Sequence, residues 1–241
     1  MNSLTGSGSA IDPRIAETAA RFRDIYTAAI YDILEEMGYS NQCLDLEIKP
    51  IDPTMRIAGP AFTIAGHPDP VTDAEYVGQG FQGLSDFEYI RAMYPGCVVA
   101  ISAGGEDKAG HWGELMSTAA KASGAVGAVM DGGCRDGRLV LDIDDWSLFT
   151  RYLSPIEGRL RYRVHSYQQP IGMRGALTSQ VRVEPGDWIV GDMDGVIAIP
   201  RDMVDKVLTE AERRKETETA ARNDIRNGDD IKVVLDRYGA F

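Results

Sequence analysis

Three adjoining stretches decide the fold: Gly96-Cys97-Val98-Val99-Ala100-Ile101-Ser102, then Trp112-Gly113-Glu114-Leu115-Met116-Ser117-Thr118-Ala119-Ala120-Lys121-Ala122, then Gly124-Ala125-Val126-Gly127-Ala128-Val129-Met130-Asp131-Gly132-Gly133-Cys134-Arg135-Asp136. The first and last open on short continuous apolar runs, the pattern of strands covered on both faces. The middle stretch predicts a helix over Trp112 to Ala122, which Gly124 stops. Strand, helix, strand in so short a span predicts a parallel βαβ unit with a right-handed crossover.

Outward from this unit the punctuation is regular. Ile15, Ala19, Phe22, Ile25, Tyr26, Ile30 and Ile33 recur at spacings of three or four, predicting one helix from Ile15 to Met37 with Gly38 just past its end. Arg56 to Gly66 predicts a strand, and the stretch Asp142–Arg163 shows no clear pattern. Two apolar runs, Val181 to Val190 and Val196 to Pro200, flank Asp194-Gly195 and predict a hairpin. A helix is predicted from Asp202 to Asn227. Beyond Ala211 it is polar all round, so it is expected to be a solvated arm or a piece docked on a neighbouring subunit. With no internal repeat and no linker, residues 11–241 are expected to form one α/β domain, including a C-terminal helical arm from about residue 212. Residues 1–10, rich in Gly and Ser, are expected to be a flexible tail.

Composition narrows the function. A formal net charge of −12 disfavours binding to a phosphate backbone over a broad face. It leaves room for a small anion held by local positive charge. The three cysteines, Cys43, Cys97 and Cys134, form no CxxC pair, so a reducing cytoplasm is expected. The N-terminus lacks the pattern of a signal peptide, and no apolar run approaches the roughly 18 residues that cross a bilayer. No P-loop, GxSxG elbow or GxGxxG is present.

In a parallel βαβ unit, ligands gather beyond the carboxyl ends of the strands, where the helix start also points. There the free N–H groups of Glu114, Leu115 and Met116 offer a carboxylate site. Arg135 supplies a permanent forked cation and Asp136 a hard oxygen ligand. An adjacent Arg-Asp is commonly a surface ion pair, and capping alone would explain Glu114. The Gly-Gly turn at the end of a buried strand puts a ligand-binding reading beside both. His67, His111 and His165 have no zinc spacing and are expected to be structural or peripheral, and Cys134 to be a packing residue.

The same residues carry a resemblance. Trp112-Gly113-Glu114-Leu115-Met116, Ala119-Ala120 and Gly124 through Asp136 resemble the RraA-like family. So do Pro185-Gly186-Asp187, Asp192, Asp194-Gly195-Val196, Pro200, Gly59-Pro60-Ala61-Phe62-Thr63 and Tyr31-Asp32-Ile33-Leu34. That family includes 4-hydroxy-4-methyl-2-oxoglutarate/4-carboxy-4-hydroxy-2-oxoadipate aldolases and non-enzymatic regulators of ribonuclease activity. Twenty residues separate Glu114 from Arg135, the family's spacing between its acidic residue and Arg-Asp.

The resemblance implies a compact sandwich of the swivelling β/β/α type, assembled as a homotrimer or homohexamer. It implies a class II, metal-dependent lyase that cleaves 4-hydroxy-2-oxo acids to pyruvate, with oxaloacetate decarboxylation as a side activity. Asp136 would bind Mg²⁺ or Mn²⁺, Arg135 would stabilise the enolate, and Glu114 would handle a water or proton. The start of the helix at Gly113, Leu115 and Met116 would hold the substrate carboxylate. Glu216, or Glu218 as a second candidate, would reach a neighbouring subunit's site. The alternative is a non-catalytic protein that regulates a ribonuclease by protein–protein contact. An older label within the family, demethylmenaquinone methyltransferase, finds no Gly-rich nucleotide loop here.

Overall fold

The computed structural model describes residues 10–69 and 86–239, so the expected tail lies almost entirely outside the described residues. The chain begins with α1 (Pro13–Arg23), α2 (Thr27–Glu36), β1 (Lys49–Pro50) and β2 (Ile57–Pro68). Next come α3 (Asp86–Ala92), β3 (Val98–Ser102), β4 (Gly110–Trp112), α4 (Glu114–Ala122), β5 (Gly127–Cys134) and α5 (Gly137–Val140). Then follow β6 (Ser147–Leu153), β7 (Tyr162–Tyr167), β8 (Ile171–Met173), β9 (Val181–Val183), β10 (Trp188–Asp192) and β11 (Gly195–Ile199). The helices α6 (Val204–Arg226) and α7 (Ile231–Tyr238) close the described chain.

The main sheet runs β1-β6-β5-β3-β2-β10-β11, with β4 added to β5 and β7 to β2. Its centre, β6, β5, β3 and β2, is parallel, as the βαβ reading requires. The long strand β2 changes partners along its length: Ile57–Pro60 pair antiparallel with β10, and Ala61–Ala65 pair parallel with β3. This is the mixed α/β fold with a nearly closed sheet and C-terminal helices that the resemblance implied.

The period-two alternation of each strand sorts its side chains into separate cores. Val99, Ile101, Ala128, Met130 and Leu148 face Ala120 of α4, with Trp112 and Trp146 in the same cluster. Val98, Ala100, Val129 and Phe149 point the other way, against Ile189, Val196 and Ala198 and the β8–β9 pair. The far face of the hairpin, Trp188, Val190, Ile197 and Ile199, packs on α1, α2 and the start of α6. The layers are therefore helix, sheet, sheet, helix. Fully burying one such Leu, Ile or Phe contributes about 1.5–3 kcal/mol relative to leaving it exposed.

Four expectations need correction. The helix over Ile15–Met37 is two helices, broken at residues 24–26. The cause is distant: Asp192 takes both the N–H (2.9 Å) and the hydroxyl (2.7 Å) of Thr27, so the α2 start is capped from the hairpin. Trp112 belongs to β4 and not to the helix, which begins at Glu114; its indole N–H reaches forward to Ser117 Oγ at 2.9 Å. The unpatterned stretch contains β6, whose Leu148 and Phe149 are fully buried. Finally, the polar part of α6 is neither merely solvated nor free of its own domain. Arg21 grips Glu212 with two bonds of 2.7 Å, Arg214 reaches Glu36 at 2.7 Å, and Lys215 pairs with Asp24. Among the described residues no helix is long and apolar enough to cross a membrane.

Candidate active site

The expected Gly-Gly turn is instead the last part of β5: the strand runs buried through Gly132-Gly133 to Cys134, and the chain turns and emerges only at Arg135 and Asp136. The glycines are required by space. A Cβ on Gly133 would stand 2.2 Å from the Tyr152 ring, and one on Gly132 2.6 Å from His111 Nδ1. This end of β5 is pinned from three sides. Thr150 Oγ1 donates to the Gly132 carbonyl (2.8 Å), the Gly133 N–H donates to His111 Nδ1 (3.0 Å), and the Arg135 N–H donates to the Trp112 carbonyl (2.8 Å). Asp131, turned to the opposite face, accepts the Arg174 N–H at 2.8 Å. Burial pushes its carboxyl above the usual range, against the pull of Arg174.

Asp136 adopts a left-handed backbone (φ 60°, ψ 27°), a conformation an aspartate tolerates better than most residues but still pays for. That twist turns its carboxylate onto the start of α4. Arg135 Nε lies 3.3 Å from Asp136 Oδ2, and both side chains are a little over one-third exposed. Gly113 sits directly beneath them: a Cβ there would come within 2.8 Å of Asp136 Oδ2 and 3.0 Å of Arg135 Cγ. The sequence-derived convergence of Gly113, Arg135 and Asp136 is therefore found in the fold.

Gly113 is the N-cap of α4, and no side chain caps this end. The first intrahelical bond runs from the Ser117 N–H to the Gly113 carbonyl at 3.0 Å, so the N–H groups of Glu114, Leu115 and Met116 have no partner within the helix. Glu114 turns along its own helix, accepting from Thr118 Oγ1 at 2.7 Å. Leu115 is 79% exposed, a large apolar side chain standing at the rim. Leu139, Leu153 and Ile156 are exposed on neighbouring segments.

Glu216 is not brought to this site within one chain. It lies exposed on α6, in the helical layer beyond the second sheet. Glu218 is engaged locally, accepting from the Tyr26 hydroxyl and pairing with Arg222 at 3.8 Å. Burial pushes the Cys134 thiol up to about 12, which suits a packing residue and not a nucleophile.

Sequence reasoning missed the surroundings of His111. Its imidazole is completely buried, and Glu106 Oε2 lies 2.8 Å from Nε2, off the axis of the ring N–H. Burial lowers its pKa below the ordinary histidine value, outweighing Glu106. No spacing announces this contact, because His111 and Gly133 meet only when β4 pairs with β5.

The residues present suit a hard cation better than a soft one. Among the described residues no group of three or more His, Cys, Asp or Glu converges as a metal cage. Asp136 offers one accessible carboxylate, the donor set of an ion that keeps most of its water, as Mg²⁺ does.

Known proteins resemble this chain in sequence and in fold. Over 212 residues the chain is 27% identical to DlpA of Legionella pneumophila; the match covers 88% of this chain and 32% of that protein, so the chain spans about a third of that relative's length. It is 30% identical over 208 residues to a Halalkalibacterium halodurans protein named "Putative 4-hydroxy-4-methyl-2-oxoglutarate aldolase", covering 85% of this chain and 87% of that one. A Streptomyces coelicolor structure, described as an unusual member of the RNase ES inhibitor RraA protein family, superposes with a TM-score of 0.73. It is 20% identical, covers 88% of this chain and 98% of its own, and shares the fold. The family model RraA-like, described as Aldolase/RraA, matches residues 27–198, and the chain belongs to that family.

Proposed function

We propose that this chain is a divalent-metal-dependent lyase that cleaves 4-hydroxy-2-oxo acids by a retro-aldol reaction to give pyruvate, and that it also decarboxylates oxaloacetate. The observation that carries the reading is the placement of Asp136. A strained left-handed residue presents its carboxylate to an uncapped helix start with Arg135 alongside. A scaffold protein has no need to hold an aspartate in that conformation there. The relative named for aldolase activity supports the same chemistry.

Asp136 would hold Mg²⁺ or Mn²⁺, which when bound supplies Lewis-acid polarisation of the 2-oxo group. The chain's own residues do the rest. The Leu115 and Met116 N–H groups, backed by the helix dipole, bind and orient the substrate carboxylate. Arg135 donates to the oxygen on which enolate charge develops, a role in which a positioned donor is typically worth a factor of about 10²–10³. A water in the site takes the 4-hydroxyl proton as the C–C bond breaks, the 4-carbon leaves as a carbonyl product, and a water directed by Glu114 returns a proton to the enolate carbon to give pyruvate. Decarboxylation of oxaloacetate leaves the same enolate and asks for no further group.

The site is open at the rim, where Leu115, Leu139, Leu153 and Ile156 expose apolar surface. Clustered exposure of this kind supports burial against another copy, in a homotrimer or homohexamer. Glu216, exposed and far from its own Asp136, is the arm residue best placed to serve a neighbour. Glu218 is held by Tyr26.

The test is pyruvate release from oxaloacetate and from 4-hydroxy-4-methyl-2-oxoglutarate, with Mg²⁺ and then with EDTA. Metal-dependent turnover lost in Asp136→Ala is expected. No metal-dependent turnover of either acid, with Asp136→Ala indistinguishable from the parent, overturns the lyase.

A further inference from the structure

We propose that His111 is a positioning residue: as a neutral hydrogen-bond acceptor it anchors the Gly132-Gly133 end of β5 and so sets where Arg135 and Asp136 stand. The proposal rests on the lyase reading for its consequence in catalysis, and on geometry alone for the anchor itself.

The ring is enclosed on every side. Its side chain is fully buried, and Tyr162 meets it edge-on with centroids 4.6 Å apart. Gly132 lies so close that a Cβ would reach within 2.6 Å of Nδ1. Tyr162 is held in turn by its hydroxyl, which donates to the Ser102 carbonyl at 3.2 Å. The Gly133 N–H, 3.0 Å from Nδ1, assigns the tautomer: Nδ1 carries the lone pair, so the ring proton is on Nε2, with Glu106 Oε2 2.8 Å away but off the N–H axis. Glu106 also gathers its own loop, accepting the N–H groups of Ala109 (2.9 Å) and Lys108 (3.2 Å).

The end of β5, the 103–109 loop and β4 thereby meet at one imidazole, which is bonded to the first through Gly133 and lies against the second at Glu106. Two residues after His111 comes Gly113, the floor under Asp136 Oδ2. Two residues after Gly133 comes Arg135. Loss of the acceptor leaves a buried N–H unpaired and removes one of the bonds between β4 and the end of β5, leaving the Arg135 N–H to Trp112 carbonyl bond to hold the two together where both halves of the site begin. His111 cannot touch substrate, because it is fully buried with both nitrogens facing protein groups. It acts only through what it holds.

Phenylalanine fills the ring's space without an acceptor, and asparagine can place Oδ1 near the Nδ1 position. Mn²⁺ binding to the full-length protein, read by electron paramagnetic resonance, should weaken in His111→Phe about 10- to 100-fold, the range typical of lost outer-shell partners. The kcat for oxaloacetate should fall by a similar factor with a smaller change in KM, and His111→Asn should recover most of both. Gly133 amide hydrogen exchange should accelerate in His111→Phe and not in His111→Asn. Unchanged Mn²⁺ affinity and unchanged exchange in His111→Phe overturn the proposal, as does an asparagine variant no better than phenylalanine. If His111→Phe does not fold, the nitrogen-15 spectrum of the parent decides: a proton on Nε2 is expected, and one on Nδ1 overturns the anchor. A parent protein that neither binds Mn²⁺ nor releases pyruvate removes the lyase reading; the exchange result still decides the anchor.

Discussion

The end of β5 with the turn that follows it, Asp131 to Asp136, and the arm from Glu212 to Arg226 are both rich in charge, yet they use it in opposite ways. In the first, the chain from Asp131 to Cys134 is buried strand, bonded to Thr150 of β6 and to His111 of β4. Only the last two side chains emerge, at a place the backbone dictates. In the arm the backbone is plain helix, and after Ala211 only Ala221 is buried. Its charges ride on long side chains that meet α1 and α2 through partly exposed pairs. Buried main chain makes a charge into a site, whereas a solvated face makes it into trim.

Direct removal of the turn's charge should have the largest effect. Arg135→Ala or Asp136→Ala should cut kcat/KM for oxaloacetate by about 10²–10³-fold. Their melting temperatures should stay near the parent's, because both side chains are more than a third exposed. A collapse in stability equal to the collapse in activity would show that the pair is structural. Gly113→Ala comes next. The new Cβ, 2.8 Å from Asp136 Oδ2, must push the carboxylate aside. A misplacement of about 1 Å is expected to cost activity about 10²-fold. The measurement is kcat/KM beside a urea midpoint, and full activity would mean that Asp136 need not lie over the helix start.

The same contrast explains what could be read in advance. Val98–Ser102 and Gly127–Met130 were legible because strands buried on both faces carry continuous apolar runs. The site was legible because Gly-Gly, Arg and Asp follow such a run directly. The break at residues 24–26 was hidden because apolar spacing continues through it, from Phe22 to Ile25 to Ile30. Its cause, Asp192, lies 165 residues away. Strand β6 was hidden because Thr150 and Arg151, in its middle, interrupt the apolar run of Leu148 and Phe149. His111 looked idle for the same reason: its partner is 22 residues away and is a backbone N–H, which no side-chain pattern records.

Acid offers a milder way to strain the turn. Burial lowers the folded-state pKa of His111 below 6.5, its ordinary value. Below about pH 6.5 the unfolded chain takes up this proton before the folded one does. Stability contributed by the neutral ring is therefore complete above pH 6.5 and is lost as pH falls towards the folded value. The slope can approach about 1.4 kcal/mol per pH unit. His165 is lowered in the same direction, so the informative quantity is the parent minus His111→Asn, from urea titrations between about pH 6.5 and pH 5. The same difference removes the contributions of Asp131 and Asp187, whose raised values act with the opposite sign above 3.8. A difference that does not change over this range would mean that His111 does not carry the dependence.

The smallest effect should come from the arm. Arg214 is its best-placed charge, only 16% exposed, reaching Glu36 at 2.7 Å and Asp32 at 3.7 Å. Its partners, however, are 62% and 53% exposed, so water screens both pairs. Partly exposed ion pairs are worth about 0.2–1 kcal/mol, and the aliphatic stem lying along the helix adds packing that alanine also removes. Arg214→Ala should therefore destabilise by about 1 kcal/mol or less in a urea titration at low salt, and by less again in 0.5 M salt, where the Debye length has shortened to about 4 Å. Activity per folded molecule should not change. A loss well above this range that salt leaves untouched would mean that the arm is docked by burial rather than by charge, and the contrast with the turn would then fail.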